Sequence, residues 1–97
     1  MTITKKNENG VLEIALQGRL DTVTSTELAA SLEEEKDYGK VIFDFKELEY
    51  LSSSGLRLLF GCRKKLGGSD KVIVRNVNPL ITEVMKVTGF DKQITIE

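Results

Sequence analysis

Apolar and polar positions repeat with two different periods along the chain, and the two periods predict strands and helices in turn. Over residues 11–17, apolar residues alternate with polar ones, as expected for a strand with one face on a hydrophobic core. Asn9 and Gly10 tolerate the positive φ angles of a tight turn, which predicts a hairpin between residues 3–6 and this strand. Further strands are predicted over residues 41–45, 71–75 and 93–96.

Three helices are predicted from apolar residues at helical spacing. Thr24 and Glu27 have the spacing of a capping box, and Asn78 followed by Pro79 is a typical helix start. The predicted helices begin near Ser25, Ser54 and Pro79 and end at Gly39, Leu66 and Gly89. Residues 46–51 are predicted to connect a strand to the second helix, with Leu48 and Leu51 facing inward.

The predicted order is β-β-α-β-α-β-α-β. Strands joined through a helix run parallel, with right-handed crossovers. We therefore expect an α/β fold, with a mixed sheet of about five strands and three or four helices packed against it. Residues 1–97 are expected to form a single domain, since a chain of this length has room for one core.

Composition and charge narrow the function classes. The chain has 14 basic and 15 acidic residues and no basic block, which disfavours nucleic-acid binding. It has no histidine, which removes serine–histidine triads and most zinc sites, so we expect neither an enzyme nor a metal or other cofactor. No apolar run reaches the length of a membrane span or a secretion signal, which favours a cytoplasmic location. Cys62 is the single cysteine, and we expect a monomer.

Three serines and a glycine, Ser52 to Gly55, lie between the third predicted strand and the second predicted helix. Serine is a good helix cap, and glycine suits a tight turn. A helix N-terminus also carries unpaired N–H groups and partial positive charge, so it tolerates a phosphate. The residues by themselves leave both interpretations open and favour the cap.

The serine segment resembles the signature of the STAS family, whose small members include bacterial anti-sigma factor antagonists. Gly-Arg-Leu-Asp at residues 18–21 is similar to the family's Gly-x-Leu-Asp, and residues 41–45 are similar to its central apolar strand with an Asp near the end. Leu-Ser-Ser-Ser-Gly-Leu at residues 51–56 resembles its phosphorylation loop. Residues 76–90, which end in Thr-Gly-Phe, resemble its closing helix and turn. The four segments occur in the family's order.

The resemblance implies a cytoplasmic anti-sigma factor antagonist without catalytic activity, acting in transcription regulation by partner switching. Such a protein binds an anti-sigma factor that is also a serine kinase, and it thereby releases a sigma factor. Phosphorylation by that kinase switches it off, and a phosphatase restores it. Carried over by position, the phosphoacceptor is Ser53, with Ser52 and Ser54 as second choices. The resemblance assigns partner binding to Asp21, Asp44, Ser52, Ser54, Gly55 and Leu56.

One difference from the family pattern lies beside the acceptor. The family commonly has Asp before the acceptor serine, whereas this chain has Ser52, which removes a carboxylate and adds a hydroxyl. An alternative function is a STAS interaction subunit that is never phosphorylated, as in a lipid-transport complex or a stress-sensing assembly. Exposed parts of Leu56, Leu59 and Phe60 would suit either function.

Overall fold

The computed structural model describes all 97 residues as a five-stranded mixed sheet with three α-helices. The strands are β1 (Thr2–Glu8), β2 (Val11–Leu20), β3 (Lys40–Leu51), β4 (Val72–Arg75) and β5 (Thr95–Ile96). The helices are α1 (Thr22–Glu33), α2 (Ser53–Leu66) and α3 (Pro79–Val87), with 3-10 turns over Ser69–Lys71 and Phe90–Lys92. The predicted α/β fold and its element order are confirmed.

The strands lie in the sheet in chain order, with β1 antiparallel to β2 and all later neighbours parallel. Because side chains alternate along a strand, the register assembles apolar rows on one face. Ile14 pairs with Phe43, and Phe43 pairs with Val74. These three residues are at most 1% exposed and belong to the core under the helices. The opposite face carries residues such as Glu13 and remains uncovered.

The opening hairpin is confirmed, and its turn has the predicted backbone. Asn9 and Gly10 have φ angles of 53° and 80°, which is the double left-handed geometry that joins two strands directly. Both strands are longer than predicted, because β1 pairs with β2 from Thr2 to Glu8. The second strand continues to Leu20 since its last residues pair with β3.

The predicted start of α1 near Ser25 is wrong: the helix begins at Thr22, and its cap is Asp21. Asp21 Oδ1 accepts a hydrogen bond from the Thr24 N–H at 3.0 Å, while Thr24 Oγ1 accepts one from the Asp21 N–H at 2.8 Å. This is a capping box with threonine in the place that glutamate usually takes. Thr24 is therefore the third helical residue rather than the cap.

The predicted end of α1 at Gly39 is also wrong, because the helix stops at Glu33. Lys5 on β1 contacts the last turn of the helix and the two residues that follow it. Its Nζ lies 3.0 Å from Glu34 Oε2 and 2.9 Å from Glu35 Oε2, and it donates a hydrogen bond to the Ser31 carbonyl at 3.1 Å. These contacts form between residues far apart in the chain, and helical periodicity does not report them.

Residues 46–51 are strand rather than the predicted connection. Leu48 and Leu51 do face inward, at 2% and 6% exposed. The segment is extended because β2 residues 17–20 pair with β3 residues 47–51 across two register shifts. The smaller differences are at β4, which starts at Val72, and at β5, which covers two residues.

The lone thiol is buried in α2. Cys62 is 8% exposed, and this burial raises its pKa to about 11, so the thiol is neutral near pH 7. The helix ends at Gly67 with a φ of 91°, as the glycine pair at 67 and 68 predicts.

Candidate functional site

The chain segments that follow β2 and β3 meet at one edge of the sheet. Parallel strands bring their carboxyl ends to the same edge, so Asp21 and the three serines become neighbours. Two contacts join the segment after β2 to the segment after β3. The Ser52 N–H donates to the Leu20 carbonyl at 2.9 Å, and the Thr22 and Ser54 hydroxyls lie 3.2 Å apart. The structure therefore brings together most of the residues that the sequence assigns to the site.

Ser52 is the N-cap of α2. Its backbone is extended, with φ −88° and ψ 171°, and its Oγ accepts a hydrogen bond from the Gly55 N–H at 3.2 Å. Serine and aspartate are both strongly preferred at this position, because each has a side-chain oxygen that can accept such a bond. Ser52 therefore keeps the capping function that aspartate would supply in the family pattern.

The cap can be tested by two substitutions of Ser52. Ser52→Ala removes the acceptor and is expected to lower the free energy of unfolding by about 1 kcal/mol. Ser52→Asp is expected to stay close to the unsubstituted protein, because the carboxylate can accept the same bond and favours the positive helix end. Urea denaturation measures both. Equal stability of the alanine and aspartate variants would contradict the capping role.

Ser53 is the first residue of α2 and is exposed, whereas Ser52 and Ser54 are partly buried. The hydroxyls of Ser52 and Ser54 have protein partners, and the Ser53 hydroxyl has none. The first turn of α2 contains no acidic residue, while Arg63, Lys64 and Lys65 occupy the last turn. The unpaired N–H groups and the helix dipole thus leave positive potential next to the Ser53 hydroxyl.

Gly55 allows α2 to lie close against the strand ends. A Cβ at this residue would lie 2.6 Å from Leu51 Cδ1 and 3.0 Å from Leu20 Cδ2, so a side chain here would force these leucines to shift. Leu56 is partly buried against the core. The expected exposure of Leu59 is wrong, because this residue is 0% exposed.

Asp21 lies beside the serine segment with its carboxylate engaged in the helix cap. Hydrogen bonding from the Thr24 backbone N–H, followed by the Thr24 hydroxyl, holds the pKa of Asp21 below its usual range. The carboxylate is therefore negative near neutral pH. It adds a fixed negative charge to this edge of the sheet.

Two apolar side chains at the helix starts were missed by the sequence reasoning. Val23 in the first turn of α1 is 71% exposed, and Leu80 in the first turn of α3 is 66% exposed. The exposure of Val23 could have been found from the sequence. At helical spacing Val23 does not fall on the same face as Leu28 and Leu32, which are the buried leucines of α1. Thr22, which contacts Ser54, was missed because the sequence predicts a helix start near Ser25, three residues later.

Asp44 lies apart from this cluster, on the uncovered face of the sheet. It sits within β3 opposite Ala15 and Arg75, and its Oδ1 accepts hydrogen bonds from Asn76 Nδ2 at 2.9 Å and from the Lys46 N–H at 3.0 Å. The structure does not bring Asp44 together with the serine segment.

The Asn76 contact gives Asp44 a testable pH response. Hydrogen bonding from Asn76, then from the Lys46 N–H, holds the pKa of Asp44 below its usual range. Since the folded pKa is depressed, Asp44 stabilises the fold above its unfolded pKa, and this contribution is lost as pH falls through the folded pKa. We expect Asn76→Ala to raise the pKa of Asp44 in a carbon-detected NMR titration. The Asp21 pKa is the internal control and should not move.

The described residues include no group of His, Cys, Asp and Glu side chains that could hold a metal ion. None of the helices has both the length and the apolar character that crossing a membrane requires.

Comparisons with known proteins agree on the family. The family model of the STAS domain matches residues 2–97. BtrV of Bordetella bronchiseptica is 30% identical over 93 residues, which cover 93% of this chain and 80% of BtrV. The anti-sigma-F factor antagonist RsfB of Mycobacterium tuberculosis is 27% identical over 94 residues, which cover 95% of this chain and 77% of RsfB.

Solved structures show the same fold. The anti-sigma factor antagonist SpoIIAA in its unphosphorylated form superposes with a TM-score of 0.83 at 20% identity, covering 99% of this chain and 88% of SpoIIAA. The phosphorylated form of SpoIIAA, a Bacillus cell fate determinant, gives a TM-score of 0.75 at 20% identity and covers 99% of this chain and 91% of SpoIIAA.

Proposed function

The chain belongs to the STAS domain family, and we propose that it is an anti-sigma factor antagonist switched by phosphorylation of Ser53. In this proposal one STAS domain binds an anti-sigma factor with serine kinase activity, and a sigma factor is released. A phosphatase reverses the modification. The domain itself performs no catalysis, and its activity is the binding of the partner.

The accessible Ser53 hydroxyl is the observation that carries this proposal. Among the three serines, Ser53 alone is exposed, and it has no hydrogen bond that a kinase would need to break. Ser52 caps α2 and Ser54 contacts Thr22 on α1, so modification of Ser52 would disturb the cap and modification of Ser54 would disturb the contact between the two helices. Ser53 can take a phosphate while those contacts persist.

A phosphate at Ser53 would alter the surface without unfolding α2. It adds about −1.5 to −2 charges at neutral pH, and the free N–H groups of the helix start favour a nearby anion. The effect is therefore expected at the interface with the partner. Exposed Val23 offers an apolar contact there, while Asp21 already contributes one negative charge. Burying a dianion beside these groups is costly unless the partner supplies a cation.

The related proteins support this choice of partner class. RsfB and SpoIIAA are named anti-sigma factor antagonists, and SpoIIAA has been solved in a phosphorylated and an unphosphorylated form. An interaction subunit that is never phosphorylated would share the fold and is the alternative outcome of the experiment.

The deciding experiment incubates the protein with an anti-sigma kinase encoded in the same genome and ATP, and it locates any phosphate by fragmentation mass spectrometry. Phosphate on Ser53 is the expected result. Ser53→Ala is the matched control and should take up no phosphate at residues 52–54. A stable complex without any phosphorylation would contradict the switch and favour the permanent interaction subunit.

A further inference from the structure

An open groove of about 560 Å³ lies between α1 and α2 on the outer side of the helix layer. Its volume is within the range of small-molecule sites. The α2 residues that line it recur every three or four positions, as one stripe of a helix does. Most of the floor is apolar and is formed by Ala29, Leu32, Tyr38, Leu58, Gly61 and Cys62.

Gly61 keeps the middle of the groove open. A Cβ at this residue would have no atom within 4 Å, so the space beside it is unoccupied by the protein. Gly61 is helical and has no positive φ angle, so the backbone does not require glycine here. A larger residue at position 61 would therefore fill the groove without straining the helix.

A buried hydroxyl without a partner lines one end of the groove. Ser25 is 8% exposed, and its Oγ makes no hydrogen bond in the protein. Buried polar groups are normally hydrogen-bonded, so an unpartnered one in a cavity wall needs an explanation. The Oγ has less than 1 Å² of exposed surface, so a polar ligand atom in the groove would supply the missing partner after the Ser25 side chain rotates towards it.

The positive charge of Arg57, at the same end of the groove, also has no partner in the protein. The Thr22–Ser54 contact aligns the starts of the two helices, which places Arg57 one turn further along α2, at the level of Ser25. Arg57 forms no ion pair in the protein. At the other end of the groove the lining includes one residue of each charge, Glu33 and Lys65. The groove thus has a polar, positive end at Ser25 and Arg57 and an apolar body beyond it.

We propose that this groove binds a small amphipathic anion, a single-chain carboxylate whose head lies at Ser25 and Arg57. Its chain would run along the apolar floor past Gly61 towards Leu32 and Tyr38. The Ser25 hydroxyl would donate to a carboxylate oxygen, and Arg57 would supply the charge that the head requires. Ser53 does not line the groove, so the unmodified serine is not needed for binding of the ligand.

Decanoate, kept below its micelle concentration, is a suitable probe in ¹⁵N–¹H NMR titrations of the full chain. Shifts are expected in residues of α1 and α2 that line the groove. Arg57→Gln is expected to weaken binding about tenfold or more, because it removes a charged hydrogen-bond donor. Lys64→Gln is the matched control: this exposed lysine lies outside the groove, and its loss should leave affinity unchanged.

Gly61→Leu tests the location independently of charge. This variant should fold with a thermal midpoint no lower than that of the unsubstituted protein, and it should lose the decanoate shifts. Decanol, which has the same chain length without the charge, should bind at least about tenfold more weakly than decanoate. Ser53→Ala should bind decanoate normally, which separates this site from the phosphorylation switch.

Three results would overturn the proposal. The first is an absence of shifts at any decanoate concentration below micelle formation. The second is unchanged binding in the folded Gly61→Leu protein, which would place the probe elsewhere. The third is equal affinity for decanol and decanoate, which would show that the negative charge of the head group does not contribute to binding.

Discussion

Ser53→Asp is expected to weaken binding to the anti-sigma partner about a hundredfold, whereas Ser53→Ala should bind as tightly as the unphosphorylated protein. The reason is electrostatic, because the exposed Ser53 hydroxyl lies at the same edge of the sheet as the negative Asp21 and the exposed Val23. A charge that becomes buried without a partner at an interface costs about 2–5 kcal/mol. Each 1.4 kcal/mol corresponds to about a tenfold change in affinity.

Ser53→Asn is the matched control for this effect, since it has nearly the same shape as the aspartate variant and no charge. Isothermal titration calorimetry with the purified partner should place the asparagine variant near the alanine variant. The aspartate variant should also unfold at the same temperature or higher, because a carboxylate at the first turn favours the helix. Equal affinities of the aspartate and asparagine variants would refute the electrostatic switch.

The second large effect concerns the two glycines of α2. Gly55→Ala is expected to be less stable than Gly61→Ala by about 1–3 kcal/mol, which is the usual cost of an added carbon in a packed core. A Cβ at residue 55 would lie 2.6 Å from Leu51 Cδ1, whereas a Cβ at residue 61 would meet no atom within 4 Å. Both substitutions replace a helical glycine of α2 by alanine, so their difference in stability chiefly reports the packing around the new Cβ.

Urea denaturation of the two variants measures this difference directly. Gly61→Ala should be more stable than the unsubstituted protein by about 0.5–1 kcal/mol, because alanine is the better helix residue. In Gly55→Ala the side chains of Leu51 and Leu20 must shift to relieve the contact with the new Cβ. Equal stability of the two variants would show that the strand ends adapt without cost.

Local patterns in the sequence determined the parts of the fold in which neighbouring residues decide the structure. The Asn9 and Gly10 turn, the Asn78 and Pro79 helix start and the alternation of β2 all follow from residues within a few positions of one another. The order of elements then restricts the sheet to a parallel arrangement after the hairpin. The position of the serine segment at the start of α2 was equally predictable.

The start of α1 shows where local patterns were ambiguous. Two capping boxes compete over residues 21–27, one with Asp21 and Thr24 and the other with Thr24 and Glu27. The first is formed in the structure, where the Thr24 hydroxyl also donates to the Arg19 carbonyl at 2.7 Å. The choice depends on where β2 ends, and β2 ends where its pairing with β3 ends, at Leu20.

Tertiary structure alone decided the remaining features, because they depend on residues far apart in the chain. Lys5 pairs with carboxylates at the end of α1, about thirty positions away, and pairing with β2 continues β3 beyond its apolar run. Ser52 is the cap and Ser53 is exposed because of the way α2 packs against Leu20 and Leu51. The groove beside Gly61 exists because α1 and α2 pack on one face of the sheet without filling the space between them. Side-chain periodicity identifies which residues turn inward, but it carries no information about the distance between two inward-facing elements.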